Sequence, residues 1–430
     1  MSEWKNTEFG DIPAEWKIQT LDSVCKKITD GSHFSPKEDP GGQYRIGTVK
    51  DMVENDFDLK NCKKISKKDF NLLVKNGCKV EKGDVLFSKD GSIGNVIYFD
   101  KDYDLVLLSS IAILKSNTYQ LSGKFLYYYL KSNFSQYQVR RNFVSGSALP
   151  RVVLKDIKKI KILLPSLSEQ NRISDCLSKI DDKIDLLRHQ NETLEQIAQT
   201  LFKRWFVEFE FPDENGQPYK SSGGKMVPSE LGEIPEGWKA SKIKDYGSIV
   251  CGKTPSKKRK DYFNGEIPFI KIPDMHGKVF IIKTEDTLSK KGSNTQKTKV
   301  LPKYSINVSC IATVGLVTIN SRSSHTNQQI NSIIPNKDFY LSFLYFAMKN
   351  LAKYLISIGS GGSATLNVNT NTFSNIDIRK PKEIILKKFH SQVFQILKKI
   401  ELNCYYLKNL KEVRDTLLLK LMSGQIRIIE

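Results

Sequence analysis

FGDIPAEWK (9–17) comes back, altered at four of nine letters, as LGEIPEGWK (231–239). Gly10/Gly232, Ile12/Ile234, Pro13/Pro235, Trp16/Trp238 and Lys17/Lys239 are shared at an offset of 222. A match that short decides nothing until others fall collinearly behind it. They do: KFLYYYLK (124–131) aligns with SFLYFAMK (342–349) at 218, and SGSALPRV (145–152) with GGSATLNV (361–368) at 216. The offset stays at 216 through Pro165/Pro381 and through LEQIAQTL (194–201) against LKEVRDTL (410–417). The drift from 222 to 216 is a net loss of six residues in the second copy, the size of loop deletions. The 430 residues are two diverged copies of one unit. That period is too long for a solenoid and suits a tandem of whole domains.

The net charge of +20 is unevenly spread. Residues 1–165 carry 27 basic and 20 acidic side chains and residues 211–381 carry 24 and 13, whereas 166–210 carry 6 and 9 and 382–430 carry 10 and 5. Two basic units separated by a weakly acidic segment suit a polyanion gripped in two places, although lysine usage for solubility gives the same total. The seven cysteines form no CxxC pair and sit near no histidine pair, which argues against a zinc site or disulfide framework and for a reducing cytoplasm. The polar start, MSEWKNTEFG, does not read as a secretory leader. No window approaches eighteen apolar residues, so no membrane association is expected, and DLVLLSSIAIL (104–114) reads as a buried strand pair.

GDVLFSKDGSIGNVIYF (83–99) predicts two short strands around a Gly-Ser turn, and NVSCIATVGLVTI (307–319) is its weaker counterpart. KFLYYYLKSNFSQY and SFLYFAMKNLAKYL predict amphipathic helices whose aromatic residues, Phe125, Tyr128 and Tyr129 among them, face the core. Each copy then ends in a heptad-patterned helix. In the first, the seam runs through Ile173, Leu177, Ile180, Ile184, Leu187, Leu194 and Leu201, with Asn191 and Ala198 in the skipped positions. In the second it runs through Phe389, Val393, Ile396, Ile400, Leu407, Leu410, Leu417 and Leu421, with polar Asn403 and Arg414. A helix from Ser168 to Phe206 spans about 58 Å at about 1.5 Å per residue. The seams predict that the two helices pair antiparallel, with Asn191 and Asn403 meeting or sharing a water to fix register. Ile197, Phe202 and Phe206 lie off the seam and are expected to dock a protein partner.

The expected fold class is α+β: two mixed α/β domains separated by a pair of long antiparallel coiled-coil helices, with pseudo-two-fold symmetry. The boundaries read as 1–165 for the first domain, 166–210 for its long helix, 211–230 for a flexible linker, 231–381 for the second domain and 382–430 for the C-terminal helix. Catalytic patterns are missing. The five histidines are scattered, and there is no HExxH, GxSxG or Walker A sequence. DPGG (39–42) lacks the second proline and the aromatic of a methyltransferase motif, and carboxylate-x-Lys triplets such as Asp58-Leu59-Lys60 arise freely in so charged a chain. No catalytic residue and no metal ligand is assigned.

On these residues the chain resembles the specificity subunit of Type I restriction-modification systems over essentially its whole length. Ile12, Pro13 and Trp16 match the family's opening IPxxW. CGKTPSKKRKDYFNGEIPFIKIPDM (251–275) is similar to its GGTP, YWNG, IPWI and DM elements, and NVSCIATVG and TNQQINSIIP (326–335) match later strands. LFKRWFVEF (201–209), with the residues that follow, resembles its central conserved region. In the first domain DGSHFSP (30–36) replaces GGTP, while Asp51-Met52 keeps the DM.

The resemblance implies double-stranded DNA as ligand, with each recognition domain reading one half of a bipartite asymmetric site. It further implies two methylation subunits that hold S-adenosylmethionine and methylate adenine N6, two restriction motor-nuclease subunits that use ATP with Mg, and no cofactor in this chain. The reading groups are expected in the signature loops: Ser32, His33, Lys50, Lys89, Asp90 and Ser92 in the first domain, and Lys253, Thr254, Ser256, Lys271, Thr313, Asn327 and Gln328 in the second. Thr, Ser and Asn at those places also serve turns by bonding their own backbone. Lys257 to Lys260 reads as a phosphate contact or a solvated loop. A chain with its own nuclease activity, and an adaptor with non-specific DNA-binding lobes, are the competing functional classes.

Overall fold

The structure, a computed structural model, describes residues 3–144, 150–360 and 366–428. Residues 145–149 and 361–365, most of the SGSALPRV/GGSATLNV match, lie outside the described residues. The chain forms two compact units, one of residues up to Lys183 plus Leu410 onward, the other of Ile184–Asn409. These do not follow boundaries at 165 and 381. Each unit takes part of both long helices, which are Leu167–Phe206 and Glu383–Met422, 40 residues apiece.

In unit 1 the central sheet has the order Val96–Tyr98, Val85–Ser88, Ile111–Ser116, Cys25–Asp30. Its first three strands are largely buried on both faces, and the two-residue alternation sorts them. Val85, Phe87, Ala112 and Leu114 face the helix Gly123–Lys131, whereas Leu86, Ile97, Ile111 and Ile113 face Phe57, Leu105 and Leu107. A second sheet orders Val106–Leu107, Tyr44–Gly47 and Lys63–Ile65, the first two parallel. The two strands within DLVLLSSIAIL are thus buried as expected but belong to different sheets and do not pair.

Unit 2 repeats this plan and adds one strand: Gly247–Cys251, Ile330–Pro335, Ile306–Ser309, Val317–Asn320 and Phe280–Ile281, with a second sheet of Asp286–Leu288, Phe263–Ile270 and His325–Thr326. The helix Tyr340–Asn350 takes the place of Gly123–Lys131. Phe125, Tyr128 and Tyr129 are core residues, each at most 4% exposed.

The two opening stretches are equivalent hairpins. Trp4–Thr7 pairs with Gly10–Pro13 and Met226–Ser229 with Gly232–Pro235, each turning at a glycine with φ near 84° (85° and 83°) that a side chain would strain. Beyond the hairpin, Trp16 and Trp238 sink to 0% and 4% exposure. In unit 1 Trp16 packs with Ile173 and Leu177 from the start of one long helix and Leu421 and Met422 from the end of the other. Its Nε1 donates to Glu169, and Arg427 binds the same carboxylate bidentately, with Nη2–Oε2 at 2.8 Å. In unit 2 Trp238 instead stacks on Phe211 at 5.2 Å and meets Phe206 and Phe209 edge-on or tilted.

Three expectations are corrected. Residues 211–228 are not a structureless tether. Phe211 stacks on Tyr219 at 4.6 Å as well as on Trp238, and Asp213 caps a turn by accepting from the amides of Asn215 and Gln217. Phe202 and Phe206 are not a docking face: they are 3% and 1% exposed in the unit 2 core against Phe343, Phe346 and Phe389, and only Ile197, at 52%, is open. On the second helix Leu397, outside the expected seam, is fully buried and Ile396 only partly so.

Both units show the antiparallel pairing internally. In unit 1 Asp181 accepts from Arg414 at 2.9 Å and from Tyr128 at 2.8 Å. In unit 2 Asn403, fully buried, donates to Asn191 Oδ1 and Gln190 Oε1, each at 2.9 Å, so the two seam asparagines meet directly. The Asn403 Oδ1 itself finds no partner. Removing one side of such a pair strands a buried polar group, whereas removing both does not. Asn191→Leu alone is therefore expected to cost about 1–3 kcal/mol. The double variant Asn191→Leu/Asn403→Leu should melt above the parent, and a double variant melting no higher would refute this account of the seam.

Candidate nucleic-acid interface

The loops at one end of each unit are locked by the same set of backbone hydrogen bonds. In unit 1 Ser32 N donates to Leu107 O (2.7 Å), Lys89 N to Ser110 O (2.9 Å), Gly94 N to Ser88 O (3.1 Å) and Val152 N to Lys89 O (2.8 Å). In unit 2 Lys253 N donates to Thr326 O (3.0 Å), Cys310 N to Gln329 O (2.8 Å), Gly315 N to Ser309 O (3.0 Å) and Val368 N to Cys310 O (2.8 Å). Gly31 and Gly252 open the first loop of each set, and a Cβ at either would lie 2.1 Å from a backbone oxygen, so the turn demands glycine. This glycine survives where the rest of the GGTP-like signature has changed. The two loop sets are one scaffold carrying different side chains.

Unit 1 presents a line of alternating charges from Asp30 to Arg151, with His33 at its end. His33, 73% exposed, lies 3.6 Å from Asp30; Asp30 lies 3.3 Å from the Lys89 ammonium; Lys89 lies 3.8 Å from Asp90; and Asp90 lies 3.1 Å from Arg151 Nε. Lys89 is 2% exposed, so it is a buried tie rather than an exposed reading group. Ser32 is likewise turned inward, its hydroxyl donating to Phe34 O and accepting from Phe34 N. Lys50 and Ser92 are exposed. Arg151, half exposed and held by Asp90, was not among the expected readers. The aligned strings PRV (150–152) and LNV (366–368) were the signal that marked it.

Unit 2 presents a different set of groups on the same scaffold. Thr254 donates to Gln328 Oε1 at 2.7 Å, so these two expected readers are brought together beside exposed Lys253 and Ser256. Thr313 is exposed at the tip of the neighbouring loop. Asn327 is spent internally, its amide donating to Gln329 Oε1 and accepting from Gln329 N, and it is 8% exposed. Lys271 is tied to Asp286 at 2.6 Å, and that carboxylate holds its ammonium above the usual pKa. Burial pushes the Cys310 thiol up to about 11, which leaves it protonated and inert. Among the described residues no group of three His, Cys, Asp or Glu gathers to hold a metal, and no helix is long and apolar enough to cross a membrane.

A duplicated αβ chain with two unlike loop surfaces on one scaffold, joined to paired long helices, is the class that fold and site define. The family model of the Type I restriction modification DNA specificity domain matches twice, over residues 13–196 and 235–412, and the chain belongs to that family, the specificity subunits of Type I restriction-modification systems. It is 37% identical to the Type I restriction enzyme HindI specificity subunit of Haemophilus influenzae, over 96% of this chain and 100% of that protein. It is 27% identical to the MjaIX specificity subunit of Methanocaldococcus jannaschii, over 100% of this chain and 98% of that one. The crystal structure of the S subunit from M. genitalium shares the fold, with a TM-score of 0.58 at 17% identity over 95% of this chain and 96% of that chain.

The two kinds of lysine separate by stability. Lys89→Ala leaves Asp30 and Asp90 without their buried cation and is expected to lower the stability of unit 1 by on the order of 3 kcal/mol. Lys253→Ala, on an exposed loop, should stay within about 0.5 kcal/mol of the parent. Denaturant titration of both variants checks this, and equal effects would show that Lys89 is no buried tie.

Proposed function

We propose that this chain is the non-catalytic DNA-recognition subunit of a cytoplasmic Type I restriction-modification complex. Each unit reads one half of an asymmetric, interrupted site in double-stranded DNA, and the paired helices set the spacing between the halves. The observation that carries the reading is the repeated loop scaffold with unlike side chains. One backbone frame displayed twice with different donors and acceptors is what two different half-sites require. The basic balance of residues 1–165 and 211–381 supplies the phosphate attraction.

The long helices are also the proposed seat of two methylation subunits. Their exposed apolar side chains support this: Val413 and Leu419 in unit 1, and Leu186, Ile197, Leu402 and Tyr406 in unit 2, each from 46% to 60% exposed. In the assembled complex those subunits supply S-adenosylmethionine for adenine N6 methylation, and two motor-nuclease subunits supply ATP-driven cleavage with Mg.

Mapping N6-methyladenine in cells that express the chain with its methylation subunit is expected to give one asymmetric bipartite motif with a fixed gap. DNA cleavage by the purified chain alone with Mg, or methylation without a motif, would overturn the reading. Mass measurement of the methylating complex should give two methylation subunits per chain, and a one-to-one active complex would count against that stoichiometry.

The repeat yields a sharper test. A chain ending at Ser222 lacks the Leu417–Met422 stretch that covers Ile173 and Leu177. At the offset of 216, Leu201–Phe206 of a second copy offers the equivalent residues, so the fragment is expected to pair with itself in a closed two-fold dimer. With the methylation subunit it should modify a palindrome built from the first half-site and its inverse. A soluble monomer, or modification of the original asymmetric site, would sink the two-copy account.

A further inference from the structure

The repeat places one residue of each unit at the same point on its loop scaffold. Arg151 bridges Asp90 antiparallel, and Asn367 bridges Ile311 antiparallel. Gly91 N donates to Pro150 O at 3.1 Å, and Ala312 N donates to Leu366 O at 3.0 Å. The next residues, Val152 and Val368, are fully buried or nearly so and tie back to Lys89 O and Cys310 O. Anchoring on both sides leaves residues 151 and 367 with their backbones fixed and their side chains outward: Arg151 is 52% exposed and Asn367 is exposed.

Resting on the proposed reading of DNA by these loops, we infer that Arg151 and Asn367 are equivalent base readers, Arg151 for a guanine in the first half-site and Asn367 for an adenine in the second. The chemistry assigns the bases. The Asp90 carboxylate lies 3.1 Å from the Arg151 Nε, and a guanidinium fork matches the O6 and N7 acceptors of guanine. A primary amide matches the N6 donor and N7 acceptor of adenine. The surroundings differ to suit. Asp90 is itself held by buried Lys89, which continues to Asp30, so the Arg151 guanidinium is oriented by a chain of fixed charges. By the register of the scaffold, Cys251, Cys310 and Ile311 stand in unit 2 where Asp30, Lys89 and Asp90 stand in unit 1, so the neutral Asn367 has neutral support. Lys89 and Asp90 are positioning residues here rather than readers.

The experiment maps N6-methyladenine in cells that express the full-length chain with its methylation subunit. The parent must first give a motif, and if it gives none the recognition reading itself fails. Given a motif, Arg151→Ala is expected to make one position of the first half-site degenerate, where the parent requires guanine, and to leave the second half-site intact. Asn367→Ala should do the converse at one adenine. Discrimination at the affected position should fall roughly ten- to a hundred-fold. Asp90→Asn should relax the same guanine as Arg151→Ala, a readout that general loosening of the unit would not confine to one base.

Should Arg151→Ala fail to fold, Arg151→Lys keeps the charge but not the fork, and binding of the parent complex to a duplex with 7-deazaguanine at that position tests the same contact. Loss of affinity for 7-deazaguanine in the parent, and a smaller loss in Arg151→Lys, whose ammonium replaces the fork, is expected. An unchanged motif in Arg151→Ala, relaxation spread over both half-sites, or a parent indifferent to 7-deazaguanine would each overturn the assignment.

Discussion

The burial of Trp16 holds unit 1 together, and it requires both ends of the chain. The indole shares one core cluster with Ile173 and Leu177 from the start of the first long helix and with Leu421 and Met422 from the end of the second. Its N–H is spent on Glu169, a carboxylate 3% exposed. Taking that charge out of water is costly unless it is paired with good geometry, and Arg427, whose guanidinium also lies 5.9 Å from the Trp16 ring, pairs it through two bonds. Residues 16, 169 and 427 must therefore meet before any one of them is stable in place. Unit 2 solves the same problem without charge, with Phe211, Phe209 and Phe206 around Trp238. The anchor is shared, and its closure is ionic in one copy and aromatic in the other.

This division explains which parts of the fold were legible in sequence. The strand pairs within 83–99 and 307–319, both helices after the sheets and the two long heptad helices are written in local strings, so their spacing predicted them. The asparagine pair was legible because two polar letters interrupt an apolar period. Phe202 and Phe206 were misplaced because a helical period shows only which residues share a face; that a second face is also covered depends on Phe343 and Phe346, more than 130 residues away. The linker was misread for a similar reason. Its composition is that of a loose tether, but Phe211 stacks on both Tyr219 and Trp238, and these two aromatic contacts fold it down. Lys89 sits in a loop signature that suggests an exposed reader, and only the distant Asp30 reveals that its ammonium is turned inward.

The weaker strand signal of the second copy also has a physical cause. Where unit 1 has Leu86, Ile97 and Ile113 on the inner face of its sheet, the register of unit 2 places Asn307, Thr318 and Ser332, all fully buried. Ser332 donates to Asn307 at 2.9 Å, and Ser321 and Asn320 bond backbone carbonyls nearby. A polar interior stabilises less per residue than the apolar one, the more so as the Asn307 amide nitrogen and the Thr318 hydroxyl find no partner among the described residues. Unit 2 compensates with a larger apolar cluster on the opposite face, which gathers Phe343, Phe346, Phe389 and Trp205. Unit 1 divides its apolar packing between the two faces of its sheet, whereas unit 2 gathers most of it on one.

The same independence of frame and side chain governs the candidate interface. Its loops are held chiefly by main-chain bonds, from Ser32 N and Lys253 N at one corner to Val152 N and Val368 N at the other, and a main-chain bond is indifferent to the side chain attached. The side chains that must be conserved for geometry are few and small: Gly31 and Gly252, where a Cβ would strike a carbonyl, and the serines 88 and 309, whose hydroxyls accept from Asn95 N and Leu316 N. The main-chain frame does not depend on which outward side chain it carries, so Thr254 stands in unit 2 where His33 stands in unit 1, and Asn367 where Arg151 stands, on the same set of bonds. A recognition surface built this way changes its chemistry without loosening its fold, and two copies of it in one chain diverge independently.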